Sequence, residues 1–194
     1  MGKQKYQQQI EQLFSKSPVV NFQSIAKIVS SHEQKKQYTK QLVRNLLLKE
    51  KIKVLTKGYY TKHNEISFAV FCFQPAYIGL QDALSFHELW EQETIPIIIT
   101  ARKIRTGIRT VQGQNILIHR IDPKYYFGIE HTLQEDAALP YSDLEKTFID
   151  MAYFHQILSR EVIAEIKKKI DMKKLKVYLK RYPQMIREQV LHAL

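Results

Sequence analysis

Lys35-Lys36-Gln37-Tyr38-Thr39-Lys40-Gln41-Leu42-Val43-Arg44-Asn45-Leu46-Leu47-Leu48-Lys49-Glu50-Lys51 runs directly into Ile52-Lys53-Val54-Leu55-Thr56-Lys57-Gly58-Tyr59-Tyr60-Thr61. In the first part Tyr38, Leu42, Val43, Leu46 and Leu47 recur at helical spacing, which predicts an amphipathic helix from about Glu33 to about Lys51. Its opposite face carries Lys35, Lys36, Gln37, Lys40, Gln41 and Arg44. The second part is rich in β-branched and aromatic residues around Gly58, which predicts a small hairpin.

Two shorter helices are expected upstream. Ile10, Leu13 and Phe14 share one helix face, and Pro18 limits how far that helix runs. Asn21 suits the N-cap of a second helix carrying Phe22, Ile25, Ala26, Ile28 and Val29, and Ser30-Ser31-His32 reads as a polar turn. Three short helices followed by a hairpin are the element order of a winged helix-turn-helix, whose third helix enters the DNA major groove. Lysines on that helix neutralise phosphates, whereas Gln37, Gln41 and Arg44 are the residue types that read base edges. Lys53, Lys57 and Tyr59 of the hairpin are candidates for backbone or minor-groove contact. A protein-binding module has the same topology, but the charge density favours nucleic acid. Double-stranded DNA is preferred over RNA because the sequence has no aromatic pair of the RNP type.

The charge is unevenly distributed. Within a net +11, Met1–Lys62 holds 13 Lys and Arg against 3 Asp and Glu. His63–Glu165 holds 8 against 14, and Ile166–Leu194 holds 9 against 2. A basic head, an acidic middle and a basic tail suggest divided roles. The single cysteine, Cys72, rules out an internal disulfide and a Cys-x-x-Cys metal knuckle. The polar N-terminus and the lack of any long apolar run predict a cytoplasmic protein without a membrane segment.

Beyond the hairpin, Ile66–Phe73 reads nearly as well as strand as it does as helix, with helix preferred and Asn64-Glu65 as its cap. A helix carrying Ala83, Leu84, Phe86, Leu89 and Trp90 is expected next. Strands follow at Ile95–Thr100, Ile116–Ile121 and Tyr125–Ile129. Arg102, Lys103, Arg105 and Arg109 crowd the loop between the first two, a possible second basic patch or simply a soluble hairpin. From Ser142, which heads a capping-box spacing, the chain reads as helical, with breaks near Asp171 and at Pro183. The whole is expected to be α+β: a winged helix-turn-helix over 1–62, then a mixed domain with a small sheet and several helices over 63–194.

No constellation of catalytic or metal-ligating residues is convincing. Glu165-Ile166-Lys167 with Asp150 upstream has the spacing of a metal-dependent nuclease, but it lies in a helical run where a surface pair is the simpler reading. Asp143 and Glu145 suit a helix N-terminus, and Asp150 suits a buried polar contact. The histidines show no ligand spacing, and Cys72 sits in an apolar run that suits an inert thiol.

Five pieces, in order, give the chain a resemblance to the AbiEi family of antitoxins and transcriptional regulators in AbiE-type toxin–antitoxin systems. They are Lys57-Gly58-Tyr59-Tyr60; Tyr77-Ile78-Gly79-Leu80-Gln81-Asp82-Ala83-Leu84-Ser85-Phe86-His87-Glu88-Leu89; Thr100-Ala101-Arg102; Tyr126-Phe127-Gly128; and Pro140 with Leu144-Glu145-Lys146-Thr147-Phe148-Ile149-Asp150. Asp82, Glu88 and Thr147 depart from the family's usual Ser, Gly and small residue. The resemblance implies an autorepressor that binds repeats in its own promoter, and whose C-terminal domain counters a nucleotidyltransferase-like toxin encoded next door. It implies no catalysis and no cofactor. The alternatives are a stand-alone winged-helix regulator with a sensing or oligomerising C-terminal domain, a metal-dependent nucleic-acid enzyme using Asp150, Glu165 and Lys167, and a protein-interaction module.

Overall fold

The computed structural model describes residues 6–29, 35–134 and 137–194. The expected Ser30–His32 turn and the start of the third helix at Glu33 lie outside the described residues. The described chain is mixed α+β, and it opens with α1 (Gln7–Lys16), β1 (Val19–Asn21), α2 (Phe22–Ile28), α3 (Lys35–Leu48), β2 (Lys53–Thr56) and β3 (Tyr59–Thr61). Asn21 caps α2 as expected, its side chain accepting from the Ser24 N–H at 2.8 Å. The short β1 had no sequence signal. It pairs with β3, which also pairs with β2, so three antiparallel strands form a small sheet in the order β1-β3-β2. The β2–β3 turn is closed by Gly58 at φ +82°, a conformation that penalises any side chain. Ile10, Phe14, Ile25, Val29, Val43, Ile52 and Tyr60 form a core belonging to this unit alone.

The segment Ile66–Phe73 is helical, as preferred from its sequence, rather than a strand. It is a 3-10 helix, and its cap is the Glu65 carboxylate, which accepts from the Ser67 N–H at 3.0 Å. It is buried on nearly every side, with Leu55 of β2 in the same cluster as Phe68, Val70 and Phe73, so it is the layer joining the small sheet to the rest.

The larger sheet contains β4 (Ala76–Ile78), β5 (Ile97–Thr100), β6 (Gly107–Val111), β7 (Gln114–Arg120), β8 (Ile129–Gln134) and β9 (Ala137–Ser142), in the order β6-β7-β5-β4-β9-β8. β5 runs parallel to β7, and β4 parallel to β9. The central strands are covered on both faces, which explains their unbroken apolar sequence. Strand alternation divides them: Tyr77, Ile97 and Ile99 point to the helical side, and Ala76, Ile78, Ile98, Ile116 and Ile118 to the 3-10 layer. The helical side holds α4 (Leu80–Phe86), α5 (Leu144–Tyr153), α6 (Arg160–Lys169), α7 (Met172–Leu179) and α8 (Gln184–Ala193).

Three sequence expectations need correction. The strand expected at Tyr125–Ile129 is absent. Pro123–Tyr125 is a 3-10 turn capped by Asp122, Gly128 adopts φ +67°, and β8 begins only at Ile129. Tyr125 is held by stacking on Tyr182, with ring centroids 4.2 Å apart, rather than by strand pairing. The helix expected through Trp90 ends at Phe86, and Leu89 and Trp90 lie beyond it. Ser142 belongs to β9, and the cap of α5 is Asp143, which accepts from the Lys146 N–H at 2.8 Å. The tail helices break where expected, at Asp171, which caps α7, and at Pro183 before α8.

Candidate functional site

The outer side of α3 is polar along most of its length, with Leu48, 73% exposed, as the apolar exception at its C-terminal end. Lys36, Gln37, Lys40, Gln41 and Arg44 are all exposed, while Val43 on the inner side is buried. Their spacing places them within one sector of the helix. The side chain of Lys35 lies outside the described residues. The Gln41 side-chain amide donates to the Asn45 side-chain oxygen Oδ1 at 3.1 Å, so Asn45 belongs to this face although the spacing argument passed it over. The i, i+4 amide pair was the available signal.

The hairpin residues are placed unequally. Lys57 is exposed at the turn. Lys53 is also exposed but donates to the Asn64 side chain. Tyr59 is half-buried and packs on the 3-10 cluster, so its ring serves the join between the two parts of the chain.

The second basic cluster is partly committed to packing. The Arg102 guanidinium donates to the Cys72 carbonyl at 3.2 Å. Arg109 donates to the Arg105 carbonyl at 2.7 Å and lies 5.4 Å from the centre of the Phe73 ring. Lys103 and Arg105 are exposed. Like the small sheet, this loop packs on the 3-10 layer, through Ile104.

A second site was legible only in fragments. Lys146 and Asp150 of α5 are both 0% exposed and form an ion pair, and the Tyr77 hydroxyl of β4 donates to the other Asp150 oxygen at 2.7 Å. The Lys146 ammonium also donates to the Tyr77 oxygen at 2.9 Å and sits 5.6 Å from the Phe127 ring centre. Burial lowers the pKa of Lys146 and raises that of Asp150, each opposed by the partner's charge. Gly128 closes the site: a Cβ there would lie 2.9 Å from Lys146 Cβ and 3.0 Å from the Tyr178 ring. A second layer lies outside, where Lys174 of α7 bridges Glu145 at 2.8 Å and Asp143 at 3.1 Å, and the Tyr178 hydroxyl donates to Asp143 at 2.8 Å. The chemistry available is structural: the charged atoms face one another, and neither charged residue is exposed.

Asp150, Glu165 and Lys167 are not brought together. Both Asp150 oxygens are taken by Lys146 and Tyr77, whereas Glu165 pairs with Lys168 at 2.6 Å on the open surface of α6. Among the described residues, no group of three His, Cys, Asp or Glu side chains is placed to hold a metal ion. The Cys72 thiol is buried, and burial pushes its pKa up to about 12.

Asp82, which with Glu88 departs from the usual residues of the Tyr77–Leu89 stretch, lies in the first turn of α4 and accepts from the Ile97 N–H at 3.2 Å. Burial, which outweighs that hydrogen bond, raises its pKa from 3.8 to about 6. The folded state therefore keeps a proton that the unfolded chain has already released, and stability falls as pH rises from the acid range through about 6. Asp82→Asn keeps an acceptor for Ile97 and removes this loss. It should raise the melting temperature at pH values well above 6, by a free energy of up to about 3 kcal/mol, and do little near pH 4. Thermal melts of both proteins across this range check it; an equal shift at every pH would refute the assignment.

Fold and charge define a mixed α+β protein with a basic helical face near its N-terminus. No protein-family model matches the sequence, and no curated protein matches it significantly. Among the described residues, no helix is long and apolar enough to cross a membrane.

Proposed function

We propose that the chain is a DNA-binding autorepressor and antitoxin of the AbiEi kind. On this reading residues 1–62 are a winged helix-turn-helix and residues 63–194 an antitoxin-type domain without catalytic activity. It acts in the cytoplasm. The observation that carries the DNA-binding part is the outer face of α3, where Lys36, Gln37, Lys40, Gln41 and Arg44 stand exposed together, followed in the chain by a hairpin whose tip presents Lys57. Such a face combines phosphate-neutralising and base-reading residue types on one rigid helix.

The toxin-related part rests on the resemblance, and a packing observation supports treating it as one of fold. Pieces far apart in sequence meet at the buried ion pair: Tyr77 hydrogen-bonds Asp150, Tyr126 packs on Tyr77 with centroids 5.9 Å apart, and Phe127 and Gly128 pack on Lys146. The partners on this reading are double-stranded promoter DNA and a nucleotidyltransferase-like toxin.

The test is fluorescence anisotropy with the DNA upstream of the protein's own gene, against a shuffled duplex, over a salt series. Tight binding to the native duplex alone at near-physiological salt is expected. Equal, salt-fragile binding to both would reduce the face to a generic basic surface.

A further inference from the structure

A groove of about 810 Å³ lies between the loop after α4 and α6. Its walls carry Glu88, Glu91, Glu161 and Glu165, the last paired with Lys168 at 2.6 Å, and no basic side chain lines the groove itself. Trp90 and Ile157 supply apolar surface, and Ile157 is 91% exposed. In a chain of net charge +11, this concentration of carboxylates around exposed apolar surface is a local reversal of sign. Exposed apolar surface rimmed by charge marks an interaction site.

The matching surface is on the same chain. Leu175 and Leu179 bury the inner side of α7, and Lys174 is held by Asp143 and Glu145. These contacts fix the rotation of the helix and turn Lys173, Lys176 and Lys180 outward, at the i, i+3, i+7 spacing of one face. Among the described residues none of these three lysines makes an ion pair. Val177, 57% exposed, lies among them. Lysines flanking an exposed valine complement glutamates flanking an exposed isoleucine and a tryptophan.

We infer that the chain self-associates, with the basic face of α7 from one copy seated in the acidic groove of a second. Only Ile170 and Asp171 separate α6, which forms one wall of the groove, from α7. Both halves of the contact therefore belong to one local module. A two-fold axis then satisfies both grooves at once and closes the assembly as a dimer. Attraction between exposed charges makes the dimer salt-sensitive.

The experiment is sedimentation equilibrium of the full chain at low and high salt. A monomer–dimer equilibrium that shifts to monomer with salt is expected. The groove variant Glu161→Lys/Glu165→Lys and the helix variant Lys173→Glu/Lys176→Glu should each weaken the homodimer at least about tenfold, a loss of roughly 1.4 kcal/mol. All four substituted side chains are exposed, and circular dichroism checks that each variant is folded. Mixing the two variants should give a heterodimer, because each reversed surface then meets its complement, and combining all four substitutions in one chain should restore the homodimer. A chain that stays monomeric at every concentration overturns the inference. So does a dimer that ignores both reversals, or a loss of dimer that neither mixing nor combination repairs. A groove that binds a lysine-rich helical peptide while the chain remains monomeric would also overturn it, in favour of a foreign basic partner.

Discussion

Asp150→Ala is expected to destabilise the protein by about 3–5 kcal/mol, because it leaves the Lys146 ammonium buried without its counter-charge. A typical domain has a total stability of about 5–15 kcal/mol, so the variant should be marginal or unfolded at ordinary temperatures. Neither member of the pair has exposed surface, so water cannot replace the missing carboxylate without opening the core around Phe148 and Ile149. The Tyr77 hydroxyl also loses its acceptor, which adds to the cost. Removing the whole polar set should behave differently. The triple variant Tyr77→Phe/Lys146→Met/Asp150→Leu leaves no unpaired buried charge, and should recover to within about 2 kcal/mol of wild type. Urea denaturation of the two variants separates these outcomes. If Asp150→Ala costs less than about 1 kcal/mol, the pair is not enclosed as described.

Such a pair adds little net stability over apolar residues of similar size. What it does is tie together elements distant in sequence. Tyr77 lies 73 residues from Asp150, and the Lys146 ammonium reaches both. An apolar substitute would tolerate a slipped α5, whereas the charged set admits only the register in which donor meets acceptor.

The features legible in the sequence are those written by local chemistry. Asn21 capped α2 because its amide needs only a backbone N–H three residues on. The polar face of α3 and the breaks at Asp171 and Pro183 followed from helical spacing, an N-cap residue and proline geometry. The sheet was less legible, because its strands exist through partners elsewhere. β1 and β4 have three residues each, and β4 is a strand because β5 and β9 flank it. Ile66–Phe73 was ambiguous for a related reason: burial on all sides erases the periodicity that distinguishes helix from strand. The candidate site divides in the same way. The exposed residues of α3 were read from spacing alone. Of the Lys146–Asp150 pair, only Asp150 was expected to make a buried polar contact. Its enclosure depends on Tyr77, Phe127 and Gly128, which no local pattern relates to α5.

Replacing Lys36, Lys40 and Arg44 together by alanine should have the largest effect on DNA binding. All three are exposed on α3, and the buried side of that helix is untouched, so the fold should survive. Each phosphate contact contributes about −0.9 to the slope of log affinity against log salt, so the loss flattens the slope by about 2.7 where Arg44 meets a phosphate and by about 1.8 where it meets a base. With all three on phosphate, this corresponds near physiological ionic strength to roughly a hundredfold loss of affinity, shared by native and shuffled duplexes alike. Gln41→Ala should act differently. Its amide is held by Asn45 and carries no charge, so the salt slope should stay constant while discrimination between the duplexes falls by about 1–3 kcal/mol. Arg44 alone distinguishes its two possible roles. A phosphate contact lowers the slope by about 0.9 and leaves specificity intact, whereas a bidentate contact to guanine lowers specificity. Anisotropy titrations of the variants on both duplexes, at several salt concentrations, give slope and specificity separately. If the triple variant binds both duplexes with wild-type affinity and slope, α3 does not face DNA, and the basic charge of the first sixty residues serves another partner.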